Sequence, residues 1–191
     1  MVIVCARRGG HGVSPAPKQG RRRNIMALNA YAALTWNGTA LDGDSTMSEI
    51  GGVDVSSDHI EVYQLNWGTV IGHERQASLS AAHRTAEPLV FEQRLDGTVP
   101  QWHQALTENA TIAGTFKIFD TNPEDGATRE RFNITIEGGR VVSVQGESPD
   151  AFDADQSNKP CYVRVKVTYH TITYEDMVLS KVYTDNWSQS R

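Results

Sequence analysis

Cysteine is scarce in this 191-residue chain: there are two, Cys5 and Cys161. One lies in a stretch without pattern and the other beside an alternating run, so no disulfide framework is expected and synthesis in a reducing cytoplasm fits. No Cys-x-x-Cys pair or Cys/His cluster suggests a metal. Long hydrophobic runs are missing as well. Nothing approaches the roughly 18 apolar residues of a membrane helix, so membrane insertion is not expected. The first residues lack the basic-then-apolar order of a secretory signal, and Arg7-Arg8 is followed by no apolar core of a twin-arginine signal.

Signatures of chemistry are absent too. There is no Gly-x-Ser-x-Gly elbow for an activated serine, and no phosphate loop or dinucleotide fingerprint. His59, His73, His83, His103 and His170 stand at no metal spacing. Asp150, Asp153 and Asp155 alternate as in a calcium loop but lack its central glycine and closing glutamate. Four glycosylation sequons, at Asn37, Asn109, Asn133 and Asn186, are chance matches without a secretory signal. The expectation is a protein that is not an enzyme and needs no cofactor.

Charge divides the chain. Residues 1–25 hold six of the 18 basic residues (Arg7, Arg8, Lys18, Arg21, Arg22, Arg23) and none of the 23 acidic ones. The remainder is therefore acidic, which argues against nucleic acid as a partner. The leader is rich in Gly, Pro and Arg, without apolar periodicity, and reads as disordered. Arg21-Arg22-Arg23 can be encoded by purine-rich codons resembling a ribosome-binding site ahead of Met26. Residues 1–25 are thus expected to be a start-site artefact, and residues 26–191 the folded domain.

What the body does have is alternation, the mark of half-buried strands. It appears at Ala30–Trp36, Ile60–Trp67, Leu89–Glu92, Ile112–Ile118, Phe132–Ile136, Val142–Val144, Tyr162–Tyr169 and Val178–Tyr183. Gly138-Gly139 predicts a two-residue hairpin, and Gly51-Gly52 a turn. One helix interrupts the strands. Thr98 as N-cap, Pro100 in the first turn and Gln101 three residues on predict a capping box. Val99, Trp102 and Leu106 share its apolar face, and Asn109 can end it. Segments 68–86 and 146–160 read as long irregular loops. The pattern predicts a mainly β fold, an antiparallel β-barrel or two-sheet architecture with one short flanking α-helix.

Some strands carry too much apolar surface for one core. Tyr63, Leu65 and Trp67 lie opposite Ile60 and Val62 by period-two counting. That second face needs another element or another subunit, which makes the three residues subunit-interface candidates.

The order of these features resembles the Hcp family of type VI secretion systems. The resemblance begins at Met26-Ala27-Leu28-Asn29-Ala30-Tyr31 and continues through the strand Ile60 to Trp67. An extended loop then leads into His83-Arg84-Thr85-Ala86-Glu87-Pro88-Leu89-Val90-Phe91. The helix at Pro100–Thr107, the strand Ala110–Phe119, the Phe132–Val144 hairpin and the late strand Val163–Tyr174 follow in order. The leader, the segment 38–58 and the acidic insert 146–159 depart from the family pattern.

The resemblance implies a barrel that assembles as a homohexameric ring. Rings would stack into a hollow tube inside a contractile sheath, above a baseplate and under a spike protein, with effector cargo in the lumen. The subunit would be made in the cytoplasm and then secreted through the machine. The 68–86 loop would carry ring-to-ring contact through Ile71, His73, Glu74, Arg75, Leu79, His83 and Arg84. Other readings stay open: the tube of another contractile injection system or phage-like tail, a monomeric ligand-binding β-barrel, or a hydrolase with an unrecognised site.

Overall fold

The structure is a computed structural model that describes residues 30–56, 58–71, 84–150, 152 and 160–187. The expected leader, His73, Glu74, Arg75, Leu79, His83, Asp153 and Asp155 lie outside the described residues. Among the described residues eleven strands and one helix follow in order: β1 (Ala30–Trp36), β2 (Thr39–Ala40), β3 (Glu49–Ile50), β4 (Val53–Asp54), β5 (Ile60–Ile71), β6 (Arg84–Arg94), α1 (Thr98–Thr107), β7 (Thr111–Thr121), β8 (Thr128–Glu147), β9 (Tyr162–Thr168), β10 (Thr171–Asp176) and β11 (Lys181–Asn186). The fold is mostly antiparallel sheet with one helix, as the alternation predicts.

Pairings run β11–β10–β8–β7–β1–β5–β6–β9, and β9 also pairs with β8. The 20-residue β8 serves three neighbours. It pairs with β7 from Thr128 to Arg140, with β10 from Phe132 to Glu137, and with β9 from Arg140 to Glu147. β3 and β4 form a separate hairpin through Gly51-Gly52, whose φ values of 59° and 80° are the left-handed ones such a turn needs.

The expected hairpin at Gly138-Gly139 is not there. Both glycines lie inside β8, at the place where its partner changes from β10 to β9. A Cβ on Gly139 would sit 2.9 Å from the carbonyl oxygens of both Ile112 and Thr168, so the glycine permits close backbone approach and does not turn the chain. The expected 68–86 loop is also shorter. Gly68 to Ile71 and Arg84 to Glu87 are paired strand. The expected late strand Val163–Tyr174 is two strands, β9 and β10, broken at Tyr169-His170, and the last strand starts at Lys181, after a turn at Met177–Ser180.

The core collects the inward residues of these strands. Val163, Val165 and Val167 of β9 are fully buried, with Leu89 and Phe91 of β6, Ile112 and Phe116 of β7, and Ile134 and Ile136 of β8. Each such side chain contributes roughly 1.5–3 kcal/mol by leaving water. Phe91 sits at the centre, edge-on to Phe116 at 5.3 Å and to Trp102 at 5.7 Å. A second small cluster joins Tyr31, Val55 and Phe119. There Ile50, Val53 and Val55 pack against Tyr31 of β1 and Phe119 of β7.

The helix docks on the core through Trp102 and Ala105, both fully buried. Val99 packs at the margin. Leu106, expected on the apolar face, is 38% exposed. The capping box is corrected too. Thr98 is already helical, and Asp96 Oδ1 accepts from the Thr98 backbone N–H at 2.9 Å and from its hydroxyl. Gln93 binds this cap to the core: its Nε2 donates to Thr98 Oγ1 at 2.6 Å, and its Oε1 accepts from Trp102 Nε1 at 2.9 Å. Asn109, with φ of 51°, ends the helix as expected.

Candidate functional site

Exposed apolar side chains among the described residues are the feature of the surface that stands out. They gather in two places. The first is the outer half of β5. Ile60 and Val62 point into the core, but the β5–β6 register shifts between Val62 and Gln64. That bulge reverses the alternation. Leu65, opposite Phe91, therefore packs on the core and does not share a face with Tyr63. Tyr63 and Trp67 are each 40% exposed, and Val70 and Ile71 are more open still.

Beyond Trp67, β5 and β6 leave the rest of the sheet as a two-stranded ribbon. Gly68 pairs with Glu87, Thr69 with Ala86, Val70 with Thr85 and Ile71 with Arg84. Among the described residues, β1 pairs with β5 at Ile60–Val62 and β9 pairs with β6 at Leu89–Arg94. Ile71 and Arg84, both expected in the contact loop, form the last described rung of this ribbon.

The second place is the β10–β11 hairpin. Among the described residues β11 pairs with β10 and with no other strand. Its Val182 and Tyr183 are exposed, as are Met177, Val178 and Leu179 in the turn. Asp176 Oδ1 builds that turn by accepting from the backbone N–H groups of Val178 and Leu179. The Arg131 guanidinium beside it, with those backbone donors, holds the Asp176 carboxyl below the usual carboxylate range. Asp followed by an apolar run was the available signal for the turn.

The two places are linked. Arg84 donates from Nη1 to Asp185 Oδ2 at 2.8 Å and from Nη2 to Oδ1 at 2.6 Å. The Trp187 ring centre lies 4.3 Å from the guanidinium carbon. Asp185 holds the Arg84 guanidinium even further above neutrality than usual. Close by, burial pushes the Tyr169 phenol up to about 12, with Tyr174 and Asp185 adding to the shift. Nothing in this arrangement offers a nucleophile beside a base. Among the described residues no group of three or more His, Cys, Asp or Glu could hold a metal ion, and no helix is long and apolar enough to cross a membrane.

The family model described as "Type VI secretion system effector, Hcp" matches residues 34–175. The chain belongs to the Hcp family. The fold agrees. A crystal structure of an Hcp protein superposes with a TM-score of 0.71 at 19% identity, covering 83% of this chain and 97% of that one. A tryptophan double variant of Hcp1 from E. coli EAEC 042 gives 0.68 at 21% identity, covering 84% and 99%. The secreted protein Hcp3 from Pseudomonas aeruginosa gives 0.65 at 17%, covering 83% and 97%. No curated protein matches the sequence. The Hcp match starts at Leu34, so the leader lies outside it, while segment 38–58 falls within it despite its unfamiliar sequence.

Proposed function

We propose that this chain is the tube subunit of a type VI secretion system. The cycle of pairings β8–β7–β1–β5–β6–β9–β8 is read as a closed barrel, and six barrels as a ring. Membership of the Hcp family carries this reading. The surface supports it. Tyr63 and Trp67 on β5, Val70 and Ile71 on the ribbon, and Val182 and Tyr183 on β11 are exposed apolar groups that a neighbouring subunit would cover. A head-to-tail contact between two such different patches is heterologous, and closes into a ring when its rotation allows.

In this reading the rings stack through the segment between Ile71 and Arg84, inside a sheath, on a baseplate and below a spike. Effectors travel in the lumen, and the subunit leaves the cytoplasm through the machine. The test replaces residues 72–82 by a Gly-Ser linker and follows sizing chromatography and negative-stain images. Rings of about six times the 21.1 kDa chain should persist while stacks are lost. A parent protein that stays monomeric at assembly concentrations would refute the ring. Undiminished stacking in the variant would refute the role of the segment.

A further inference from the structure

The ribbon poses a mechanical problem. A two-stranded hairpin is marginal by itself, because it has no third strand and no covering face. Here, among the described residues, four rungs stand beyond the last ones of β5 and β6 that pair with β1 or β9. The register shifts at Val62/Gln64 and Asn66/Gly68 also add local twist, so the ribbon's direction is not inherited from the straight part of β5. Something else must set its angle.

We propose that β11 with Trp187 is the strap that does so, with Arg84 as its buckle. Arg84 lies on the outermost described rung and reaches across to β11, 101 residues away in sequence. The contact is built for orientation. Two parallel N–H···O bonds fix the guanidinium plane against a carboxylate, and Trp187 covers the open face. A lysine could pair with the charge but could not fill the fork or stack in the same pose. Asp185 is itself held: its side chain is 9% exposed, and its residue stands opposite the buried Ile172 in β10. Trp187 is fixed by donation from its backbone N–H to the His170 carbonyl at 2.8 Å. The strap is thus anchored in the sheet at β10 and at the β9–β10 turn, and grips the ribbon at one point. Arg84 is a positioning residue, and the ribbon's angle depends on a carboxylate of β11 far from it in sequence.

This deepens the tube reading, which gives the ribbon the task of presenting the stacking segment, but the strap can be tested without any assembly. Amide exchange is measured on the full chain for Arg84→Lys and Asp185→Asn. A third protein carries the swap Arg84→Asp with Asp185→Arg. Amides of residues 69–71 and 84–86 should exchange at least about tenfold faster in each single variant, with Val163–Val167 of β9 unchanged. The swap should recover part of that protection. Unchanged ribbon exchange in Arg84→Lys and Asp185→Asn overturns the strap. So does faster exchange that spreads equally into β9, which would make the pair an ordinary stabilising contact. Stack formation by the same variants separates the two ideas: a loosened ribbon with normal stacks keeps the strap and removes the ribbon from stacking.

Discussion

Truncating Trp102 tests how the single helix is held. The indole is fully buried and edge-on to Phe91, and its N–H reaches Gln93 Oε1 at 2.9 Å. Trp102→Ala removes the ring from a packed core, which costs about 3–5 kcal/mol. It also leaves a buried carbonyl oxygen of Gln93 without its donor, a loss of about 1–3 kcal/mol when no water replaces it. The two overlap, because the cavity can admit that water, so a total near 4–6 kcal/mol is expected. Trp102→Phe separates them. It keeps most of the apolar contact and loses the N–H, and should cost about 1–3 kcal/mol. Leu106→Ala, one turn on, should cost under about 1 kcal/mol, because that side chain is 38% exposed.

Urea unfolding followed by far-ultraviolet circular dichroism, at one protein concentration and one assembly state, gives all three numbers. In heating scans the Ala variant should melt roughly 8–24 °C below the parent for a chain of this size. Equal losses for Trp102→Ala and Trp102→Phe would show that ring packing contributes nothing. A loss for Leu106→Ala matching that for Trp102→Ala would mean that the helix presents a different face to the core.

Glycines offer a sharper contrast. Gly114 has φ of 145°, and a Cβ there would sit 2.1 Å from the Ala33 carbonyl oxygen, so Gly114→Ala should cost about 3 kcal/mol or more in the same urea assay. Gly52→Ala, with φ of 80° and nothing within 4 Å, should cost only about 1 kcal/mol. Tyr169 supplies a pH test. Its folded value of about 12 lies above the ordinary phenol value of 10, so between those values the native state keeps a proton that the unfolded state loses. Stability from this group is therefore complete below pH 10 and declines as pH rises towards 12. Tyr169→Phe should flatten that decline, and an unchanged slope would remove Tyr169 as its source.

Much of this fold was legible because the physics is local. Val163, Val165 and Val167 alternate with polar neighbours, and all three are buried. Trp102 announced itself by size and helical spacing, and Asn109 by its tolerance of a left-handed backbone. Gly51-Gly52 marked a turn for the same reason. The errors came where a glycine pair or a polar run has two structural uses. Gly138-Gly139 carries the dipeptide of a hairpin, yet its job is to let three strands crowd β8 at one point. Only the partners distinguish the two, and partners are non-local. Asn37-Gly38, with φ of 48° and 84°, makes the actual tight hairpin between β1 and β2, and the dipeptide alone was enough to predict it. The Arg84–Asp185 pair had no such signal, because no local pattern ties positions 101 apart.

Bulges explain the remaining failure, and it bears on assembly. Counting by twos along Ile60 to Trp67 assigns Tyr63, Leu65 and Trp67 to one outer face. One inserted residue at Tyr63 shifts the register there and places Leu65 on the core, while Trp67, at the second shift between Asn66 and Gly68, is 40% exposed. The same happens in β8, where the shift between Val141 and Ser143 leaves Val142 exposed while Val141 is buried and Val144 packs on the core. The apolar surplus along Ile60–Trp67 is therefore smaller than the alternation suggests, and is left to Tyr63 and Trp67. In the tube reading further area comes from the β10–β11 hairpin, where Met177, Val178, Leu179, Val182 and Tyr183 are exposed. A head-to-tail ring needs two unlike patches on each subunit, and β5 offers only one of them. In the tube reading the hairpin is the second, and the strap at Arg84 fixes the two at a set angle, as a closed six-membered ring requires.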